Sequence, residues 1–368
     1  MSIDIGITGL PQSGKTTVFN ALTSGKADTV MHAAGTFTPH VGIARIPDPR
    51  LSVLNELLTP KKLVPVEARY MDVTASVKTL ARDKGIGGEL LNQLGAVDTL
   101  VNVIRTFRDD SIPHPEGNLD PDRDVNALNL ELVFSDLAIL ERRLERLENS
   151  LKGTSPPERQ NLLMEKEVVL GLKMELEKDL PIRESSPGPA AARIIANYQL
   201  LTAKPLLIVI NIGEEQLPET ATIEADFNSR HAGDKCRAVA MCGKLEMELA
   251  QMEEDEAKEF RTEYGIKESG LERTVKASYE LSDLISFFTI ASNEVRAWSI
   301  RKGTTALKAA GKIHTDMEKG FIRAESIGFD DLVSCNGIAA ARQQGRLRLE
   351  GKDYVIQDGD VITFLFNV

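Results

Sequence analysis

Gly9, Gly14, Lys15 and Thr16 stand in the order G-x-x-x-x-G-K-[ST], residue types whose joint chemistry is polyphosphate binding. The two glycines let the backbone curl until its N–H groups point inward at phosphate oxygens. A helix that starts at about Lys15 adds the partial positive charge of its N-terminus at the same place. The Lys15 ammonium can reach β- and γ-phosphates, and the Thr16 hydroxyl can hold Mg2+. Pro11, Gln12, Ser13, Gly14, Lys15, Thr16 and Thr17 are therefore the candidate phosphate-cradling residues, and Lys15 is also a candidate for neutralising charge during cleavage. A chance glycine-rich turn is the alternative. The flanks argue against it: Ile3, Ile5 and Ile7 alternate as in a buried strand, and Val18, Phe19 and Leu22 follow at helical spacing. The ligand class implied is a nucleoside di- or triphosphate.

Other candidates lie further along. The stretch from Thr29 to Gly42 is rich in small and turn residues, and Thr36 in it is a candidate to complete a Mg2+ shell, against a plain solvent loop. Val66 to Val73 reads as a strand with Asp72 at its tip, where such folds place a second Mg2+-side carboxylate. Ala75 stands where a glycine is expected to meet the γ-phosphate, and its Cβ would crowd that oxygen. His114 lies between two prolines in a polar loop after the strand Thr99 to Phe107, a setting in which a histidine is more often solvated than functional. Pro205 to Asn211 is an all-apolar strand ending in Asn211-Ile212-Gly213-Glu214. GTP-binding proteins carry Asn-Lys-x-Asp there, so Ile212 and Glu214 weaken the guanine contacts. Cys242 and Gly243, with Lys244, form an expected loop that closes over the base. Strand-end capping is the plainer reading of Asn211 and of Asp72.

The elements that must position these residues are legible in outline. Leu130, Val133, Leu137, Leu140, Leu144, Leu147 and Leu151 alternate spacings of three and four, a helical seam. Gly153-Thr154-Ser155-Pro156-Pro157 breaks it, and a second helix from about Glu158 to Glu177 carries Leu162, Val169, Leu172 and Leu176 on one face. The pair predicts an antiparallel hairpin, a projecting arm without chemistry of its own. From Asp283 the texture becomes that of a compact α+β domain: a strand Glu294 to Ile300, a helix capped by Thr304 or Thr305, a strand Phe321 to Ile327, a helical stretch Asp330 to Gln344 and short strands to Phe366.

Composition narrows the class. The chain has 368 residues, 42% of them hydrophobic, which predicts two or three domains. Three cysteines, Cys236, Cys242 and Cys335, have no metal-ligand spacing and an odd count, so a reducing compartment is expected. There is no signal-peptide pattern and no apolar run long enough to span a bilayer, so a soluble, cytoplasmic protein is expected. The net charge of −11 argues against general, salt-driven nucleic-acid binding. From Leu284 onward, 11 Lys/Arg face 10 Asp/Glu, which leaves room for a local basic face there.

Taken together, these stretches resemble the Obg-like ATPases, the YchF group of translation-factor-related P-loop NTPases. The resemblance covers essentially the whole chain. It rests on G-L-P-Q-S-G-K-T-T-V-F-N-A-L, on T-F-T-P-H-V-G with P-D-P-R-L after it, on the helical hairpin before Asn211, and on V-R-A-W-S-I-R-K-G, A-A-G-K-I-H-T-D-M-E-K-G-F-I-R-A-E and L-E-G-K-D-Y-V-I-Q-D-G-D-V-I-T-F-L-F-N-V. The last three are similar to that family's TGS domain, a ubiquitin-like β-grasp. The fold class this implies is α/β: a Ras-like P-loop NTPase with a mostly parallel sheet, an inserted helical coiled-coil hairpin and a C-terminal α+β β-grasp domain. The expected segments are 1–127 and 201–282 for nucleotide binding, 128–200 for the hairpin and 283–368 for the TGS-like domain. The resemblance further implies ATP preferred over GTP, its base held by Asn211, Ile212 and Glu214. It implies Mg2+ near Thr16, Thr36 and Asp72, His114 as the group that orients or deprotonates the attacking water, and association with the ribosome or RNA. The chain departs from the family pattern at Gln12-Ser13, at Ala75 and at Gly213. An ATP-hydrolysing switch is the leading expectation. A nucleotide-responsive binding module with little hydrolysis, and a GTPase, are the alternatives.

Overall fold

Strand β1 (Ile3–Thr8) is buried at all but one position, and α1 (Lys15–Leu22) begins where the glycine loop ends. The computed structural model describes residues 3–23, 40–72, 91, 93–153, 155–185, 187–266, 268–291 and 293–367; Thr36 and Ala75 lie outside these described residues. The chain divides into two units, one of Asp4–Gly42 and Tyr70–Leu281, the other of Met1–Ile3, Ile43–Arg69 and Ser282–Val368.

A six-stranded sheet runs in the order β2 (His40–Arg45), β4 (Glu67–Asp72), β1, β5 (Thr99–Arg105), β6 (Leu206–Asn211), β7 (Cys236–Met241). β1, β5, β6 and β7 are parallel, with Ile7 opposite Val101, Val103 opposite Val209, and Val209 opposite Val239. β5 and β6 are buried at every position, the condition of parallel strands covered on both faces. The core on one side joins Leu100, Ile104, Leu206, Ile208 and Ile210 to Leu128 and Leu132.

Those two leucines belong to α3 (Pro121–Leu151), which starts seven residues before the expected hairpin boundary at 128. Pro121 opens the helix, and the Asp120 side chain accepts from the Arg123 N–H at 3.0 Å. α4 (Pro156–Leu176) folds back on it. Ion pairs Glu148–Lys166 (2.9 Å) and Glu141–Lys173 (3.0 Å) link progressively distant positions, the signature of antiparallel helices. Val133, Leu140, Leu147, Val169, Leu172 and Leu176 are buried between them. The seam's first member, Leu130, is 39% exposed instead.

The second unit holds a mixed sheet ordered β11 (Arg348–Glu350), β10 (Phe321–Gly328), β12 (Asp360–Phe366), β8 (Leu284–Ala291), β9 (Glu294–Arg301), β3 (Lys62–Val64). One face is covered by α10 (Ala306–Ile313), whose Ala306, Ala309 and Ala310 allow close approach to Phe287, Ile300 and Ile362. β8 was not anticipated as a strand. The expected single helix from Asp330 to Gln344 is two, α12 (Phe329–Ser334) and α13 (Ile338–Gln343). Asn336 (φ 55°) and Gly337 (φ 119°) adopt left-handed backbone between them and end the first. Segment 43–69 joins this unit through β3, which runs parallel to β9 with Lys62 opposite Glu294.

Candidate functional site

The loop between β1 and α1 has a shape that its glycines dictate. Gly9 has φ 145°, and a Cβ there would stand 2.4 Å from the Val103 carbonyl oxygen. Gly14 caps α1 at φ 87°, and a Cβ there would stand 2.2 Å from Asn211 Nδ2. Gln12 is left-handed without being glycine, at φ 62°. Pro11 and Gln12 are exposed on the loop, Ser13 is buried, and Thr17 is half-buried in the first turn of α1.

Lys15 folds onto its own loop. Its Nζ donates to the carbonyls of Gly9 (3.0 Å) and Leu10 (2.9 Å). Burial pushes the Lys15 pKa below its ordinary value, against the pull of Asp72. Thr16 Oγ1 donates to Asp72 Oδ2 at 3.1 Å, so β4 delivers its carboxylate to the start of α1. Burial raises the Asp72 pKa, opposed by the Thr16 hydrogen bond and by the nearby Lys15 and His40. The other carboxylate oxygen, Asp72 Oδ1, is buried without a hydrogen-bond partner, as are Thr8 Oγ1, Ser13 Oγ and Asn102 Nδ2. Thr8 and Asn102 are register partners, so these orphaned polar atoms gather around the carboxyl ends of β1 and β4, level with the middle of β5. That is the edge at which open α/β sheets bind ligands.

Asn211 ties the site together. Its Nδ2 donates to the Ser13 carbonyl and its Oδ1 accepts from the Gly243 N–H, both at 3.0 Å. Its backbone carbonyl accepts from Thr106 N (3.0 Å) and Phe107 N (3.3 Å). The other members of the expected base segment behave differently. Ile212 is 1% exposed and packs in the core, while the Glu214 carboxylate pairs with Lys244 Nζ at 2.9 Å. Cys242 and Gly243 are not a loop: Cys242 is the N-cap of α7 (Gly243–Leu249). The Cys242 thiol is buried and its pKa is raised by that burial.

His114 is not brought to the phosphate loop by any hydrogen bond among the described residues. Its Nδ1 accepts from the Glu116 N–H at 3.2 Å, and its Nε2 lies 3.1 Å from Asp124 Oδ2. A ring that accepts at Nδ1 carries its proton on Nε2 and donates it to the carboxylate. The side chains of His114 and Asp124 are 5% and 3% exposed. Arg105, at the end of β5, went unremarked in the sequence. It is 3% exposed, stacks 4.5 Å from the Phe107 ring and donates to the carbonyls of Phe107 and Asp109, both at 3.2 Å. A charged residue closing a mostly apolar, buried strand was the available signal.

Comparison with known proteins places the chain among relatives. The family model described as YchF-GTPase_C, protein of unknown function (DUF933), matches residues 284–367. The chain is 39% identical over 370 residues to a Bacillus subtilis (strain 168) protein named ribosome-binding ATPase YchF, and both chains are covered in full. A protein of the same name from Escherichia coli O157:H7 is 35% identical over 378 residues, again with both chains covered in full. A solved structure titled as the Schizosaccharomyces pombe YchF GTPase superposes with a TM-score of 0.83 at 30% identity, covering 99% of this chain and 98% of that one.

Proposed function

The chain belongs to the YchF family, and from that premise we propose that it is an ATP-hydrolysing switch that works in association with the ribosome. The observation that carries the hydrolase reading is the phosphate loop itself. Its shape is enforced at Gly9 and Gly14, it is braced by Asn211, and it sits beside a Thr16–Asp72 pair with one carboxylate oxygen unused. A hydroxyl and a carboxylate are the hard oxygen donors that Mg2+ prefers, so Thr16 and Asp72 are the residues that would hold it, with Thr36 as the proposed third. Bound Mg2+ supplies charge neutralisation on the phosphate oxygens. Lys15 exchanges its two carbonyl contacts for the β- and γ-phosphates. The N–H groups at the start of α1 and in the loop hold the non-bridging oxygens.

Water activation is assigned to His114. It must leave Asp124 to act, because both ring nitrogens are engaged in the structure described above. That engagement favours, as a second reading, a nucleotide-responsive module with little hydrolysis. Adenine is the proposed base. The aspartate that reads guanine is absent, Ile212 turns into the core, and Glu214 is held by Lys244. The S. pombe relative is titled a GTPase, so GTP remains the competitor to test. The proposed layout keeps 1–127 and 201–282 for nucleotide binding, the arm 128–200 as an insert and 283–368 as a TGS-like domain, with the last two as the surfaces for ribosome or RNA. No helix among the described residues is long and apolar enough to cross a membrane, and the cytoplasm is the proposed setting.

Two measurements test the proposal. In competition binding with Mg2+, ATP should displace a fluorescent adenine nucleotide well below the GTP concentration that does so. In single-turnover phosphate release with ribosomes, Lys15→Ala and His114→Ala should both lower the rate. An unchanged rate in the histidine variant removes His114 from the chemistry, and no turnover in the wild type favours the binding module.

A further inference from the structure

Arg183 is a buried cation that no carboxylate contacts directly among the described residues. It is 5% exposed, and its Nε and Nη1 are buried with no hydrogen-bond partner. Its remaining nitrogen, Nη2, donates to the amide oxygen of Asn129. Among the described residues no carboxylate lies within ion-pair distance of it; desolvation lowers its pKa, and Cys236, Glu184 and Asp136 oppose that only from longer range. A guanidinium cut off from water and left with a neutral partner is costly, and it is the group that a bound oxyanion would complete.

Arg183 lines a cleft of about 900 Å3, together with Asn126, Asn129, Arg230, His231 and Lys235. The volume falls in the range of small-molecule sites. The cleft is walled by the first half of α3, by the segment that follows α4, and by the turn from α6 (Thr220–His231) into β7. It also has an apolar side, Val125, Val133 and Ile208. Because β1 and β7 run in the same direction, the start of β7 at Cys236 lies at the opposite edge of the sheet from the phosphate loop, which follows the end of β1. The two sites are therefore distinct.

We infer that this cleft is a second ligand site, which takes a small molecule bearing a phosphate or carboxylate group, up to mononucleotide size, with its oxyanion on Arg183. Arg230 and His231 share Asp122 as a partner, so the mouth is not simply basic. Asp179, Glu184 and Asp234 also line it, and selectivity rests on the buried guanidinium. Asn129 is the neutral stand-in that the oxyanion replaces.

The test uses the full chain carrying Lys15→Ala, so that anions on the phosphate loop do not contribute, and reads Tm at constant ionic strength. Inorganic phosphate and succinate are titrated separately, and the arm that responds identifies the oxyanion. At ten times the dissociation constant the site should raise Tm by about 2–4 °C. Adding Arg183→Gln should abolish the rise. Adding Asn129→Ala should leave the fold intact by circular dichroism and shift the titration several-fold toward lower anion, since the guanidinium then has no partner to give up. The absence of saturable stabilisation by either anion overturns the site. So does a response that survives Arg183→Gln, or one that Asn129→Ala leaves unmoved, which decides the matter should the arginine variant not fold. Nucleotide binding does not enter any of these outcomes, and the proposal stands or falls independently of the function proposed above.

Discussion

Single side chains decide how the phosphate loop holds its shape. Asn211 is 4% exposed and satisfies the Ser13 carbonyl and the Gly243 N–H at once. Asn211→Ala leaves two buried backbone groups unpaired, which should cost about 1–3 kcal/mol in chemical denaturation and weaken nucleotide binding with it. Asn211→Asp should be worse for the loop, because a carboxylate cannot donate to Ser13. Asp72 carries a pH signature. Burial raises its folded-state pKa above the unfolded value near 3.8, so the folded state binds that proton more readily. Its contribution to stability is therefore most favourable in acid and is lost as pH rises through the raised pKa. Asp72→Asn should flatten this part of the pH–stability curve of the nucleotide-free protein and raise its Tm at neutral pH, while abolishing Mg2+-dependent binding. An unchanged curve would mean that Asp72 carries no burial penalty. The glycine, lysine and threonine positions were readable in the sequence because the loop's chemistry tolerates few other residue types. The locked state of His114 was not, since a carboxylate ten residues further on becomes its partner only after α3 has formed.

Elements were legible where periodicity was strong and opaque where an end depended on contacts from elsewhere. β6 announced itself as an apolar run, β5 as a mostly apolar one, and the arm as a leucine seam. The start of α3 was set seven residues early by Pro121 and the Asp120 cap, signals local enough to have been read. α7 replaces the loop expected at Cys242-Gly243-Lys244. What holds Gly243 is Asn211, 32 positions away. β3 is only three residues long and gains its place from parallel pairing with β9, which no local pattern reveals. The arm makes the clearest prediction at this scale. Leu140 is fully buried in a cluster drawn from α3, α4 and the segment that follows. Leu140→Ala should cost about 2–5 kcal/mol. Because the cluster is separate from the core under the parallel sheet, nucleotide affinity should stay within about twofold of wild type, whereas limited proteolysis should cut the arm sooner. A parallel loss of nucleotide binding would show that arm and sheet fold as one unit.

For the molecule as a whole, charge constrains how it would carry out the proposed association with a ribosome. The net charge is −11, and residues from Leu284 onward are close to balanced, so no large basic field is available to steer the chain onto RNA. A protein that neutralises six to ten phosphates loses about 10^3- to 10^5-fold in affinity between 50 and 200 mM salt. This chain has little surplus cation to release counter-ions on that scale. Its association should rest on shape and on a few local contacts, with protein or RNA surfaces, and the salt slope should be shallow. In co-sedimentation with ribosomes in the presence of a non-hydrolysable ATP analogue, the bound fraction should correspond to an affinity change of less than about tenfold over the same salt range. A slope as steep as that of a basic RNA-binding domain would locate a focused cationic face. The balanced C-terminal segment would be the first place to seek it, by reversing charges at Lys308, Lys312 and Arg323, which lie on α10 and β10. A shallow slope that is unaffected by those reversals would place the contact elsewhere, with the arm as the next surface to cut back.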